Sequence, residues 1–244
     1  MIMDQVKFTE ECYRLFDLNA LPCTDRQANL LYHLTEQMLK INRTMNLTAI
    51  TEEKAIILRH YVDSLTISEY IPQNSILLDV GCGAGFPTLP LAIFRPDVTI
   101  TALDGTAKRI HYVQDTAEQL ELSNVTAIAG RAEDYAHREE YRESFDMVTA
   151  RAVANLAVLG ELCLGFVKPG GQMIAMKAQQ AENELKDASR CISLCGGEVS
   201  NIIQKTLSSS STEQEHRTLI FISKSASTPK IYPRHFSKIS KKTL

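Results

Sequence analysis

Leu77-Leu78-Asp79-Val80-Gly81-Cys82-Gly83-Ala84-Gly85-Phe86-Pro87 is a short apolar run, then glycine at every second position, then a proline. The pattern predicts a strand that feeds a tight turn opening a helix. Glycine at 81, 83 and 85 removes each Cβ where the backbone bends sharply, so a ligand can approach main-chain N–H groups at the N-terminus of the following helix. That is the layout of a nucleotide-type pocket.

Spacing narrows the ligand. A dinucleotide fingerprint, G-x-G-x-x-G, requires glycine at position 86, where this chain has Phe86, so a pyrophosphate loop and a nicotinamide oxidoreductase fit poorly. G-x-G-x-G after an Asp instead resembles motif I of S-adenosylmethionine-dependent methyltransferases. Their cofactor is a sulfonium amino acid joined to adenosine, so a ribose-binding carboxylate is expected at the end of the next strand. Val98 to Leu103 reads as that strand, and Asp104 ends it.

Outward from this stretch, strands and helices alternate, as in a doubly wound sheet. Strands are expected at 75–80, 98–103, 125–129, 145–150, 171–177, 198–205 and 217–224, the last two joined by a polar loop, Ser208 to Ser211. Helices are expected at Phe86–Phe94, Thr106–Leu120, Val153–Val167 and Ala181–Cys195, the last stopped by Gly196-Gly197. Upstream, apolar residues recur at helical spacing from Phe8 to Leu18 and from Thr24 to Arg43, with Thr24 and Gln27 as a capping box. A third helix is expected from Thr51, its N-cap, to Tyr70. The fold expected is therefore α/β, a Rossmann-like methyltransferase fold. It has a seven-stranded, mostly parallel sheet with helices on both faces and an N-terminal helical extension. Its parts are the helical segment 1–70, the methyltransferase domain 71–224 and a basic tail 225–244.

Ligands of such sheets bind beyond the carboxyl ends of the strands, so the residues there are the candidates. They are Gly81, Gly83, Gly85 and Phe86, then Asp104, then Arg131, Ala132 and Glu133, then Arg151, then Lys177. Asp104 offers paired acceptors to two ribose hydroxyls. Backbone groups of Ala132 and Glu133 lie where adenine is expected, Phe86 can pack on the cofactor, and Arg151 can hold its carboxylate or a substrate phosphate. Surface salt bridges are the alternative for Arg131 and Arg151. For His60, inside the third helix, an ordinary helix-surface or capped histidine is the plainer reading.

The formal net charge is −3, yet Lys224, Lys230, Arg234, Lys238, Lys241 and Lys242 crowd the last stretch, with no acidic residue after Lys224. Tyr232, His235 and Phe236 are interleaved, a composition suited to single-stranded RNA. A disordered solubilising tail is the alternative. The six cysteines show no C-x-x-C pair, which speaks for buried free thiols and against a metal site or a disulfide framework. No apolar run reaches membrane-spanning length, and Met1 to Thr9 lacks a signal-like pattern, so a cytoplasmic protein with no membrane partner is expected.

Taken together, these segments resemble one family, the bacterial 16S ribosomal RNA guanine-N7 methyltransferases (small-subunit methyltransferase G, glucose-inhibited division protein B). The likeness is carried by Asn46-Leu47-Thr48-Ala49-Ile50, by His60 with Asp63-Ser64-Leu65, and by Gly85-Phe86-Pro87 after the motif-I glycines. Lys108-Arg109, Gly130-Arg131-Ala132-Glu133, Thr149-Ala150-Arg151-Ala152-Val153, Lys168-Pro169-Gly170-Gly171, Arg217-Thr218-Leu219 and Tyr232-Pro233-Arg234 extend it. Two positions depart from the family: Ala178 stands where glycine usually follows Lys177, and the final Ser240-Lys241-Lys242-Thr243-Leu244 lacks a proline.

The resemblance implies S-adenosyl-L-methionine as cofactor, contacted at Gly81, Phe86, Ala132, Glu133 and Arg151, and a guanosine of 16S ribosomal RNA, nucleotide 527, as acceptor, presented as RNA or small subunit. Arg131, Lys177, Arg217, Lys230 and Arg234 are the RNA-binding candidates. Guanine N7 carries a free lone pair, so no catalytic side chain is expected; positioning suffices. A monomer without metal is expected. Two other readings stand beside it: a methyltransferase of the same fold with another acceptor, and a non-catalytic ribosome-assembly factor.

Overall fold

The computed structural model describes residues 4–151, 154–178 and 182–244. Its sheet has seven strands: β1 Ile76–Val80, β2 Thr99–Asp104, β3 Val125–Ala129, β4 Phe145–Arg151, β5 Val167–Lys177, β6 Gly197–Ser208 and β7 Gln214–Lys224. They lie in the order β3-β2-β1-β4-β5-β7-β6, with β7 antiparallel to both neighbours and the other pairings parallel. The order reverses on either side of β1, which places the glycine turn after β1 at the switch point where open sheets bind ligands.

Helices α1 Gln5–Leu18 and α2 Asp25–Met45 begin where their caps lie: Asp4 accepts from Val6 and Lys7 N–H, and Thr24 with Gln27 forms the expected capping box. The third expected helix is interrupted. It comprises α3 Glu53–Ile56, a π-helical turn Ile57–Val62, α4 Asp63–Leu65 and a 3₁₀ turn Ser68–Tyr70, and its N-cap is Glu52 rather than Thr51. Phe8, Phe16, Leu31, Leu34, Met38, Ile57 and Tyr61 from these elements join Leu77, Leu89, Ile100 and Val113 in one apolar cluster on one face of the sheet. Phe16 stacks on Phe94 at 5.4 Å between centroids.

Between the strands lie α5 Thr88–Phe94, α6 Ala107–Gln119, α7 Ala132–Tyr135, α8 Leu156–Cys163 and α9 Glu182–Leu194. The expected starts of two helices, Val153 and Ala181, fall outside the described residues. Helix α5 begins two residues later than expected, because Gly85 and Phe86 N–H both turn back to the Cys82 carbonyl. Val167, expected to close a helix, instead opens β5 opposite Phe145. The β6–β7 hairpin is longer than expected at both strands, and α7 was not anticipated. Helices α8 and α9 cover the second face, where Leu159 and Cys191 cluster with Phe166 and with Ile220 of β7. All six cysteines are free thiols, and all but Cys23 are buried.

The basic tail folds back on this second face through α10 Phe236–Ile239. Lys224, counted above among the tail cations, is fully buried: Nζ donates to the carbonyls of Leu164 (2.8 Å) and Cys195 (3.0 Å) and to the Thr228 hydroxyl, and pairs with Glu143 at 3.3 Å. Among the described residues, no helix is long and apolar enough to cross a membrane.

Candidate functional site

The turn after β1 is built around Asp104. Gly81 and Cys82 N–H donate to the Leu103 carbonyl at 2.7 and 3.2 Å, drawing the turn over the end of β2. Gly83 N–H then donates to Oδ2 of Asp104 at 3.0 Å, while Thr106 N–H donates to Oδ1 at 2.8 Å. Each carboxylate oxygen keeps a lone pair for a further donor. Gly83 has φ +56°, and a Cβ there would have only the Gly81 carbonyl oxygen within 4 Å, so the turn leaves open space above the acid.

Gly85 has the opposite surroundings. At φ +83° its Cβ would come within 2.6 Å of Leu89 Cδ1, since the turn packs directly on α5. Gly85→Ala is therefore expected to cost about 2 kcal/mol through left-handed strain and overpacking, lowering Tm by about 4–8 °C in a thermal melt.

Beneath the turn, Asp79 is fully buried. Thr88 Oγ1 donates to its Oδ2 at 2.7 Å, and its Oδ1 has no partner among the described residues. Burial pushes its pKa up to about 6, with the Thr88 bond and Arg151 pulling down and Asp104 pushing up. Sequence reading counted Asp79 only as the acid before the glycines and gave it no role. A charged residue inside an otherwise apolar strand was the available signal.

After β3, the side chain of Arg131 runs along Gly105, whose Cβ would meet its Cδ at 3.5 Å. Arg131 is exposed and gives α7 no side-chain cap, so the first-turn N–H groups of Ala132 and Glu133 have no intrahelical acceptor. The Glu133 side chain is buried, and its Oε1 accepts from Phe236 N–H at 3.2 Å in the tail. That side chain is thus committed to the tail, and the role expected of Glu133 is in any case a backbone one.

Phe86, at the end of the turn, leads to a second feature. Its ring stacks on His60 at 4.3 Å with 5° between planes, and the Arg151 guanidinium carbon stands 5.6 Å from its centroid. His60 is thus no surface residue: the π-helical turn brings it inward, where its Nε2 shares a hydrogen bond with Thr48 Oγ1 at 2.9 Å and its Nδ1 has no partner among the described residues. Burial, and then Arg151, hold its pKa down at about 3, so the ring is neutral near pH 7.

Beyond Phe86 an open cavity of about 650 Å³ is lined by Arg59, His60, Asp63, Arg151, Lys177 and Arg217, with Ile50, Met176 and Leu219 among the apolar residues. Lys177 Nζ donates to the Ala154 carbonyl at 2.7 Å and pairs with Glu184 at 2.8 Å. Arg151 and Arg217 both donate to Asp63, at 3.0 and 3.1 Å. The candidates thus separate into three places. Gly81, Gly83, Gly85, Asp104, Arg131, Ala132 and Glu133 surround the turn; Arg151, Lys177 and Arg217 share the cavity; Lys230 and Arg234 lie on the tail. Arg234 is not a free cation, since Nε and Nη2 bind the buried Glu161 at 2.8 and 2.7 Å. Lys230 is exposed and has no ion pair among the described residues.

Comparison with known proteins gives this geometry relatives. The GidB family model, rRNA small subunit methyltransferase G, matches residues 27–216. The chain is 40% identical over 225 residues to ribosomal RNA small subunit methyltransferase G of Leuconostoc citreum, covering 91% of this chain and 92% of that one. It is 42% identical over 218 residues to the protein of the same name from Staphylococcus saprophyticus, covering 88% and 90%. Among solved structures it is similar in fold to M. jannaschii TYW2 in complex with AdoMet, with a TM-score of 0.53 at 16% identity over 67% of this chain and 75% of that one.

Proposed function

The chain belongs to the rRNA small subunit methyltransferase G family, and from that premise we propose that it transfers a methyl group from S-adenosyl-L-methionine to N7 of a single guanosine, nucleotide 527, in 16S ribosomal RNA. The observation that carries this reading is the adjacency of two sites through Phe86 and Arg151: a glycine turn gripping a strand-end carboxylate, and an open cavity that gathers Arg59, Arg151, Lys177 and Arg217 with the acids Asp63 and Glu184. The enzyme acts as a cytoplasmic monomer on the small subunit or its RNA.

Three features of the chain suit the cofactor. Asp104 retains acceptors for the ribose hydroxyls, Gly83 leaves room beside it, and the buried Asp79, whose Oδ1 has no partner among the described residues, attracts a cationic amino acid moiety. When bound, S-adenosylmethionine supplies an electrophilic methyl on a sulfonium. Guanine N7 attacks with an in-plane lone pair and loses no proton, so the chain needs no general base. His60 agrees with this: burial and Arg151 hold its pKa down at about 3, so its ring is a weak base near pH 7. What remains for the protein is to hold N7, methyl and sulfur in line, which is worth several orders of magnitude. N7 lies in the deep major groove of an RNA helix, so the base must be unstacked to enter the cavity.

The reading is tested by incubating labelled S-adenosylmethionine with small subunits or 16S ribosomal RNA lacking the modification and mapping the label. Label on N7 of one guanosine, at nucleotide 527, is expected. Label elsewhere, or none on RNA despite cofactor binding, overturns it.

Asp79 adds a pH dependence. A cation held nearby favours the ionised carboxylate, so binding is strongest above the free-state pKa of about 6 and weakens as pH falls through it. Calorimetric titration from pH 7.5 to 5 is expected to show affinity falling by up to about tenfold per unit below pH 6, with Asp79→Asn flattening the profile. An unchanged wild-type affinity across that range would remove Asp79 from the site.

A further inference from the structure

Asp63 comes from the N-terminal helical segment, yet its carboxylate is the hub of the cavity wall. Oδ2 accepts from Arg151 Nη1 at 3.0 Å and Oδ1 from Arg217 Nε at 3.1 Å. The acid is 9% exposed, against 16% and 18% for the two arginines. Arg217 Nη2 continues to Glu215 at 3.0 Å, which accepts from Arg59 Nε at 2.7 Å, and the Arg59 carbonyl accepts from Arg151 Nη1 at 3.0 Å. The network therefore closes on itself, joining the π-helical turn to β4 and β7.

Lys177 has its own acid, Glu184. Asp63 instead serves cations from two separate strands. Two guanidinium groups that share one buried carboxylate repel each other once that charge is removed. Free arginines also lose much rotamer freedom on gripping a ligand, a loss already incurred when a neighbouring acid has fixed them. Arg151 still keeps Nε and Nη2 without partners among the described residues.

We propose that Asp63 is a positioning residue for methyl transfer: its one carboxylate sets Arg151 and Arg217 side by side before RNA arrives, so that the acceptor nucleotide meets a fixed pair of guanidinium groups. This rests on reading the cavity as the acceptor site, with Arg151 turned to the acceptor rather than, as the resemblance implies, to the cofactor. Asp63→Asn keeps the size but offers an amide N–H₂ to one of the two donors, releasing that arginine. Asp63→Glu keeps the charge.

The test is steady-state methylation of unmodified small subunits, well below each variant's melting temperature, with kcat and KM for RNA and for S-adenosylmethionine measured separately. Asp63→Asn is expected to lower kcat/KM for RNA by about tenfold to a hundredfold, and Asp63→Glu to recover much of the loss. The double variant Asp63→Asn with Arg217→Ala is expected to be no slower than the slower single variant, because both break one arrangement. Asp63→Asn with wild-type kcat/KM for RNA, or with a loss that adds fully to that of Arg217→Ala, overturns the proposal and leaves Asp63 a structural fastener. If Asp63→Asn does not fold, Arg217→Lys serves instead. A single ammonium lacks the fork that spans Asp63 and Glu215, and wild-type RNA kinetics in that variant likewise overturns the proposal. Failure of the wild-type protein to methylate RNA would overturn the functional reading itself.

Discussion

Asp104→Ala is expected to weaken S-adenosylmethionine binding by roughly a hundredfold or more, measured by calorimetric titration of the purified protein. The carboxylate has two tasks at one point. Inside the protein it accepts Gly83 and Thr106 N–H, which fixes the turn at the end of β1 and the entry to α6. Toward the cofactor it keeps one lone pair on each oxygen, and hydrogen bonds to a charged group contribute about 1.5–3 kcal/mol each. Two such bonds account for the hundredfold at their lower limit; loosening of Gly83 adds to it. Asp104→Asn separates the tasks, because its amide must turn an N–H₂ toward Gly83 or Thr106, donor against donor. It is expected to bind no more than a few-fold better than the alanine variant. Wild-type affinity in Asp104→Ala would place the ribose elsewhere.

Asp104 was legible because its signal is local. Strand, alternating glycines and a second strand closing on an acid lie within a few dozen residues, and the parallel β1–β2 register sets that acid beside the turn. The third helix failed for the opposite reason. Residues 56–67 are all buried except Arg59, so no polar face marks which side meets the core. His60 therefore read as a helix-surface or capped histidine, although the π-helical turn carries it inward. Asp63 meets Arg151 and Arg217 across 88 and 154 positions, a pairing that depends on tertiary packing alone. Helix α7 spans only Ala132–Tyr135, too short for any periodicity. Of the cavity's cations, Arg151 and Lys177 were legible as residues after strand ends, but their partners were not. The tail's basic composition was read correctly as charge, whereas the commitment of Lys224 and Arg234 to interior acceptors required knowing where it folds.

Arg234→Ala is expected to destabilise the protein by about 3–5 kcal/mol in chemical denaturation, the usual cost of leaving a buried charge without its partner. Glu161 is fully buried in the apolar helix α8, and a lone charge in such a helix implies a partner from elsewhere in the chain. Arg234 supplies it with three donors: Nε at 2.8 Å, Nη2 at 2.7 Å and its own backbone N–H at 2.9 Å. The two partners are not equivalent. Arg234 is 24% exposed and can turn toward water, whereas Glu161 has no such exit. Glu161→Gln should therefore cost less than Arg234→Ala, and replacing both by leucine and methionine should recover much of the loss. The same variants report on RNA. Because the pair and the Glu133–Phe236 bond moor the tail to α8 and α7, Arg234→Ala should also weaken RNA binding by releasing the surface that bears Lys230, Lys238, Lys241 and Lys242. Stability within about 1 kcal/mol of wild type, well short of the buried-charge cost, would show that the ion pair does not hold the tail. Lost stability with unchanged RNA affinity would instead assign RNA binding to the cavity cations alone.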